Sequence, residues 1–210
     1  MIVRIGLPKG RLFDQVLTLL NAASIRIGQD QFDSRLLIFP DNENRFEFVC
    51  LKPVDIPVYV ESGVIDCGIV GTDILRELES DVYEPLDLRI GKCKLSLAAK
   101  KGTDISPTAH LRIATKYPKT TARYFISNNM HVQIVKLEGS VEIAPLLGLA
   151  DAIIDLVETG RTLRENGLEI LKDIAEVSAK LIVNRTSMKI QSKNISQLIS
   201  QLDAVVYANT

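Results

Sequence analysis

The 210 residues are 46% hydrophobic and carry 25 basic against 26 acidic side chains, a formal charge of −1. That balance excludes a disordered chain, and it excludes a protein whose main business is coating nucleic acid or an anionic membrane, whereas a local site for an anionic small molecule needs no global charge. No apolar run approaches the about 18 residues of a membrane span, and the opening Ile2-Val3-Arg4-Ile5-Gly6-Leu7 reads as a strand rather than a signal peptide, so a cytoplasmic location is expected.

Strand-like and helix-like segments alternate, the pattern of an α/β chain with mostly parallel strands. Residues 2 to 7 form a first strand, and Arg11 to Ala23 a helix with an apolar stripe at Leu12, Val16, Leu19 and Leu20. Residues 36 to 39 and 45 to 51 read as a strand pair around Pro40-Asp41-Asn42-Glu43-Asn44. Asp55 to Glu61 reads as a short helix with Pro57 in its first turn, and Ile65 to Val70 as a strand ending at Gly71-Thr72-Asp73, where Thr72 or Asp73 caps the next helix. Leu86 to Ala99 reads as one long strand. Then come Arg112 to Thr115 (strand), Thr120 to Ser127 (helix), Val132 to Leu137 (strand), Val141 to Leu147 (helix), a strand from Ala152, a strand at Leu181 to Val183, and a final helix from Ile195 to Val206.

The thiols of Cys50, Cys67 and Cys93 lie far apart in or beside apolar runs and read as buried and free. His110 and His131 have no ligand-like spacing to them, which leaves no zinc site, and HExxH, GxSxG and CxxC are all absent. The usual hydrolase and redox mechanisms have no foothold.

The most informative stretch is residues 151 to 167, DAIIDLVETGRTLRENG. A short β-branched run, Ala152-Ile153-Ile154, meets Asp155 near its end and opens into Glu158-Thr159-Gly160-Arg161-Thr162 before a helix starting near Thr162. Gly160 can take a positive φ that lets successive N–H groups converge on one anion, with Thr159 and Thr162 adding hydroxyls. Asp155 and Glu158 suit the hydroxyls of an attached sugar, or a magnesium ion shared with the ligand. A sugar phosphate cradle and an ordinary capped turn both fit this segment.

Other turns carry charge at strand ends. Lys9 and Arg11 flank Gly10 and can grip a polyphosphate or face water; Lys52 and Asp55 offer a cation and an acid at a helix start, Asp55 being more simply its cap; Gly139-Ser140-Val141-Glu142 fits an anion-ready helix start or a routine capping pair; Lys116 ends a basic strand, where it can contact a nucleotide phosphate as an ATP-binding or cleft-wall residue or face water. Their shared placement at the carboxyl ends of separate strands points to a cleft site. The segments Glu61 to Arg76 and Leu147 to Arg164 also resemble each other, each running glycine, acid, apolar strand and Gly/Thr turn into a helix. The match is loose and fits any two α/β units; it also fits two similar lobes, one of residues 1–91 plus 179–210 and one of 92–178 carrying the cradle, with ligands bound at the strand ends in a cleft between them.

The runs LPKGRL, KPVDIPVYVESGVIDCGIVGTD, RIATKYPKTTARYF, LEGSVEIAPLLGLADAIIDLVETGRTLRENGL and KLIVNR, in that order, resemble the ATP phosphoribosyltransferase family, which opens histidine biosynthesis. The resemblance implies a two-lobed α/β fold like that of type II periplasmic binding proteins, with the active site in the inter-lobe cleft. It implies transfer of the 5-phosphoribosyl group from phosphoribosyl diphosphate to the adenine ring of ATP, with Mg2+ held mainly by substrate phosphates rather than by side chains. Thr159, Gly160, Arg161 and Thr162 would hold the 5-phosphate, and Asp155 and Glu158 would lie close to the ribose hydroxyls. Lys9 and Arg11 would face ATP or pyrophosphate, as would Arg35. Gly71 and Asp73 would form the opposite cleft wall, and Gly139, Ser140 and Glu142 the wall beside the donor. Many relatives carry arginine where this chain has Lys52, and lysine keeps the charge but loses the bidentate fork.

The chain is similar in length to the family's short form. The resemblance implies a chain that is a homodimer alone, is not itself the histidine sensor, and forms a hetero-oligomer with a regulatory subunit related to histidyl-tRNA synthetase; no nucleic acid or membrane partner is implied. Two rivals share parts of this pattern. A solute-binding module would have the two lobes without the chemistry, and another phosphoribosyltransferase would use a nucleobase or quinolinate as acceptor. The missing export signal and the acid-flanked cradle speak against the first.

Overall fold

Residues 2–28, 36–106 and 110–208 are described by a computed structural model of the chain. The chain divides into two units, one of residues 1–91 with 178–210 and one of residues 92–177. Ser178, expected in the second unit, packs in the first, where its hydroxyl donates to Asp87 (2.7 Å) and its carbonyl accepts from the Thr72 N–H (2.9 Å).

In the first unit β1 (Val3–Pro8) is buried apart from Arg4, as a central strand covered on both faces should be. It pairs in parallel with β3 (Phe46–Leu51) on one side and β4 (Cys67–Gly71) on the other. With β2 (Ile38–Pro40), β5 (Tyr83–Asp87) and β11 (Ala179–Val183) the order is β2-β3-β1-β4-β11-β5. One face is covered by α1 (Phe13–Ala22), through Val16, Leu19 and Leu20, and by α8 (Ser192–Ala208), whose buried Ile195, Leu198, Leu202 and Val206 form a helical stripe. The other face is covered by α2 (Ile56–Glu61), with Ile56 and Val60 fully buried against Val70 and Ile182. Two short helices complete the unit, α3 (Thr72–Leu78) and α7 (Arg185–Ile190), the latter capped by Asn184, whose side chain accepts from the N–H groups of Thr186 and Ser187.

The second unit repeats this plan. Strand β7 (Arg112–Thr115) pairs in parallel with β8 (Gln133–Lys136) and β9 (Ala152–Val157), while β6 (Cys93–Lys100) runs antiparallel to β9, and β10 (Leu168–Val177) antiparallel to β6. The order β10-β6-β9-β7-β8 matches β5-β11-β4-β1-β3 strand for strand. Helix α4 (Pro118–Ser127) packs Phe125 with Leu95, Leu97, Ile113 and Ile154 on one face; α5 (Ile143–Leu146) and α6 (Arg161–Glu165) lie with Ala98, Ala114 and Ile153 on the other.

Several sequence expectations need correction. The sheets are mixed, with four parallel and five antiparallel pairings among the described residues. The expected long strand from Leu86 to Ala99 is two strands in different sheets, broken where Arg89 (φ +56°) and Gly91 (φ +62°) take left-handed backbone and Asp87 accepts the Arg89 N–H. The 141–147 helix shrinks to one turn, and β10 and α7 were not anticipated.

Candidate functional site

In the first unit the charged turns leave the carboxyl ends of three adjacent parallel strands. Pro8 of β1 is the register partner of Leu51 in β3, and the Lys9 N–H donates to the Leu51 carbonyl at 2.8 Å, so Lys9 and Lys52 leave the sheet side by side. Both are exposed, as is Arg11 beyond Gly10 (φ +92°). Burial pushes the Cys50 thiol up and the charge of Lys9 pulls it back, so the ammonium lies near the end of β3. On the other side of β1, β4 ends at Gly71. Neither Thr72 nor Asp73 caps α3 in the expected way: the cap position is Gly71 and has no side-chain bond. Instead the buried Asp73 folds back over Gly71, where an added Cβ would stand 2.1 Å from its Oδ1. Asp55 occupies the cap position of α2 and likewise makes no capping bond. Arg35 lies outside the described residues.

In the second unit the equivalent strand ends gather the rest. Thr115 of β7 pairs with Lys136 of β8 and Ile154 of β9, so the turns from Lys116, from Leu137 to Glu142 and from Glu158 to Thr162 leave neighbouring strands at one end of the sheet. Gly160 takes φ +69° at the N-cap of α6, and the Arg161 N–H approaches the Thr159 hydroxyl at 3.4 Å. A Cβ on Gly160 would stand close to the far ends of two side chains, Arg164 Nη1 at 3.0 Å and Ile170 Cδ1 at 3.2 Å, which need shift only a few tenths of an ångström, so it is the left-handed backbone angle that favours glycine here. The guanidinium of Arg161 pairs with Glu165 (2.7 Å) across one turn of α6, both side chains being exposed. Asp155 is half-buried in the last part of β9 and accepts the Leu156 N–H at 2.9 Å. Ser140 does not form the expected capping pair with Glu142: it sits at φ +47°, the cap position of α5 is Glu142, and no side-chain bond is made there. A non-glycine residue in that region costs about 1 kcal/mol or more.

Three polar residues that the sequence did not single out form a chain of contacts that starts across the strand from Asp155. Ser96 of β6 is its register partner; the Ser96 hydroxyl donates to Asp173 of β10 at 2.8 Å, and Lys94 pairs with the same carboxylate. The bonds from Lys94 and then Ser96 hold the Asp173 carboxyl below its ordinary value. Among the described residues no three His, Cys, Asp or Glu side chains cluster as a metal site, and no helix is long and apolar enough to cross a membrane.

Paired α/β units of this plan, with charged and glycine turns at the carboxyl ends of parallel strands, define the class of type II periplasmic-binding-protein folds. The aliphatic sulphonate binding protein SsuA from Escherichia coli has the same fold at TM-score 0.62 and 14% identity, over 98% of this chain and 72% of that one. A sharper match comes from the HisG family model, ATP phosphoribosyltransferase, which covers residues 52–204. The ATP phosphoribosyltransferase of Oceanobacillus iheyensis is 50% identical over 204 residues, 97% of this chain and 98% of that one. A chain of the ATP phosphoribosyl transferase (HisG:HisZ) complex from Thermotoga maritima superimposes at TM-score 0.85 with 34% identity, over 99% of this chain and 100% of that one. The chain belongs to the ATP phosphoribosyltransferase family, enzymes of the first step of histidine biosynthesis, and matches short members of that family over nearly their whole length.

Proposed function

We propose that this ATP phosphoribosyltransferase holds phosphoribosyl diphosphate at the turn after β9 and meets ATP and the leaving pyrophosphate with the turns after β1, β3 and β4. The observation that carries this reading is the glycine-dependent turn at Gly160, flanked by Thr159 and Thr162 and preceded by Asp155 on the same strand. Backbone N–H groups and threonine hydroxyls at 159–162 receive the 5-phosphate. Asp155 and Glu158 accept from the ribose hydroxyls, and Lys116, Gly139, Ser140 and Glu142 line the same end of that sheet. A ring nitrogen of adenine forms the bond to the anomeric carbon as the bond to the pyrophosphate oxygen breaks, and the electron pair leaves with pyrophosphate. Positive charge grows on the sugar ring and negative charge on the leaving group, so Lys9, Arg11 and Lys52 act by placed charge and no side-chain nucleophile is needed. Gly71, Asp73 and Arg35 belong to the ATP side.

Magnesium fits this donor set. One or two carboxylates with substrate phosphates suffice for the ion, and Asp155 and Glu158 are the carboxylates at the turn. When bound it neutralises charge on pyrophosphate. The chain works in the cytoplasm, is a homodimer alone, and assembles with a regulatory subunit related to histidyl-tRNA synthetase; the 34% identical Thermotoga maritima chain from a HisG:HisZ complex supports that partner.

The test is incubation of the purified chain with ATP, phosphoribosyl diphosphate and magnesium, following the ultraviolet absorbance of the phosphoribosyl-ATP adduct. Adduct formation is expected. Its absence, with and without the regulatory subunit, overturns the reading.

A further inference from the structure

Basic side chains that leave water part-way are matched by carboxylates in this chain, with one exception. Among the described residues four are half-buried: Arg45, Arg112, Lys116 and Lys180. Arg45 pairs with Asp41 and Glu43, Arg112 with Asp151 (2.7 Å), and Lys180 with Glu84 (2.7 Å). Lys116 pairs with no carboxylate among the described residues, and Glu138, in the turn after the neighbouring β8, is matched by Lys136 at 3.0 Å. Drawing a charge from water without a partner is costly, and a bound anion would remove that cost at Lys116.

The residue before Lys116 fixes its place. Thr115 ends β7 and is fully buried; its carbonyl accepts the Leu137 N–H at 3.0 Å, and its hydroxyl accepts the Tyr117 N–H at 3.0 Å. The second bond closes a ring around Lys116, the turn that a threonine hydroxyl makes with the N–H two residues on. Tyr117 is itself buried, its carbonyl accepts the Thr121 N–H of α4 at 2.9 Å, and Pro118 opens that helix with a fixed φ. The backbone of Lys116 is therefore held by β7 on one side and by the start of α4 on the other, which lowers the entropy the lysine loses on meeting an anion.

Strand β7 lies beside β9, with Thr115 opposite Ile154, and β9 leads into the Gly160 turn. We propose that Lys116 meets a phosphate oxygen of phosphoribosyl diphosphate and that Thr115 is the positioning residue that holds it there. This rests on the assignment of the donor to that end of the sheet. Thr115, with no exposed surface, touches no substrate itself.

The test is a double-mutant cycle read by calorimetric binding of phosphoribosyl diphosphate with magnesium, and separately of ATP. Lys116→Met removes the charge and keeps the stem, and donor affinity should fall about tenfold while ATP affinity changes less than about twofold. Thr115→Val removes the hydroxyl and should weaken donor binding about fivefold, whereas Thr115→Ser, which keeps the acceptor, should stay within about twofold of the unmodified chain. In the Lys116→Met background Thr115→Val should cost donor affinity nothing more, because the hydroxyl acts through the lysine. A further loss of the same size in that background marks a general structural role for Thr115 and overturns the proposal. So does a donor affinity that Lys116→Met leaves unchanged, or an equal loss of donor and ATP affinity. If the unmodified chain itself binds no donor, the assignment of the donor site falls, and this inference with it. Circular dichroism with thermal melting confirms that each variant is folded before binding is read, and Thr115→Ala carries the same comparison should Thr115→Val not fold.

Discussion

In the first unit Gly63 (φ +76°) stands three residues before Asp66, whose Oδ2 accepts the Arg4 N–H of β1 at 2.8 Å; in the second, Gly148 (φ +76°) stands three residues before Asp151, whose Oδ2 accepts the Arg112 N–H of β7 at 2.8 Å. The backbone of each aspartate returns the bond, to the Arg4 carbonyl at 3.1 Å and the Arg112 carbonyl at 2.8 Å. Both staples sit at the amino ends of the parallel strands. At the carboxyl ends the units part company: β1 and β3 release the exposed cations Lys9 and Lys52 where β7 releases a half-buried Lys116, and β9 releases a turn bent at Gly160 and flanked by Thr159 and Thr162 where its counterpart β4 runs into Thr72 and the buried Asp73. The shared end is scaffold, and its acids, Asp66 and Asp151, are accounted for by backbone and side-chain bonds within their own units. On the function proposed above, charge stabilisation falls to the first unit and donor capture to the second.

The largest expected effect comes from removing a cation. Lys52→Met should lower kcat about 100-fold or more, the loss typical of one placed charge facing a developing anion, with the dissociation constant of phosphoribosyl diphosphate changed less than about threefold. Steady-state kinetics with single-substrate binding checks this, and equal losses in donor binding would break the division of labour. Lys52→Arg sharpens it: a fork at the same position should retain most activity if charge at that strand end is what matters. Next is Gly160→Ala, which places a Cβ at φ +69° against Arg164 and Ile170. Donor affinity should fall about tenfold while ATP affinity and the fold persist, as read by calorimetry and circular dichroism. Unchanged donor affinity would return that turn to the status of an ordinary helix cap.

Much of the parallel framework was legible because buried strands write themselves as short apolar runs: Val3 to Leu7, Cys67 to Val70 and Ala152 to Ile154 needed no partner to be read. The glycine of the 158–162 turn was legible for the same local reason. Strand β10 was not, since two register irregularities and charges at Glu169, Lys172, Asp173 and Glu176 erase its period of two. The single run read from Leu86 to Ala99 concealed a passage between sheets, because apolar content continues through Leu88 and Ile90 while the backbone breaks at Arg89 and Gly91. Capping signals misled at Ser140, which sits at φ +47° outside the cap position, and at Thr72, whose hydroxyl accepts the Ser178 N–H at 3.3 Å instead. The polar set around Asp155 was invisible for a different reason: Ser96 and Asp173 are 77 residues apart, and only strand register unites them.

The smallest effect separates scaffold from site by pH. Arg112 grips Asp151 through Nε (3.1 Å) and Nη2 (2.7 Å), and this side-chain bond holds the Asp151 carboxyl below its ordinary value. A carboxyl lowered by folding contributes stability that is fully present above its unfolded value of about 4 and is lost as pH falls through the lower folded value. Thermal melts of the unmodified chain taken downward from pH 5 should therefore include a loss that Asp151→Asn lacks. At pH 7 that variant should melt about 3 °C lower, a modest change because both side chains are partly exposed and the pair is screened by solvent. Phosphoribosyl-ATP formation at 25 °C should be the same for both proteins, since the staple lies at the strand ends opposite Gly160. A variant that keeps its melting temperature but loses activity would place Asp151 in the site and dissolve the distinction between the two ends of the sheet.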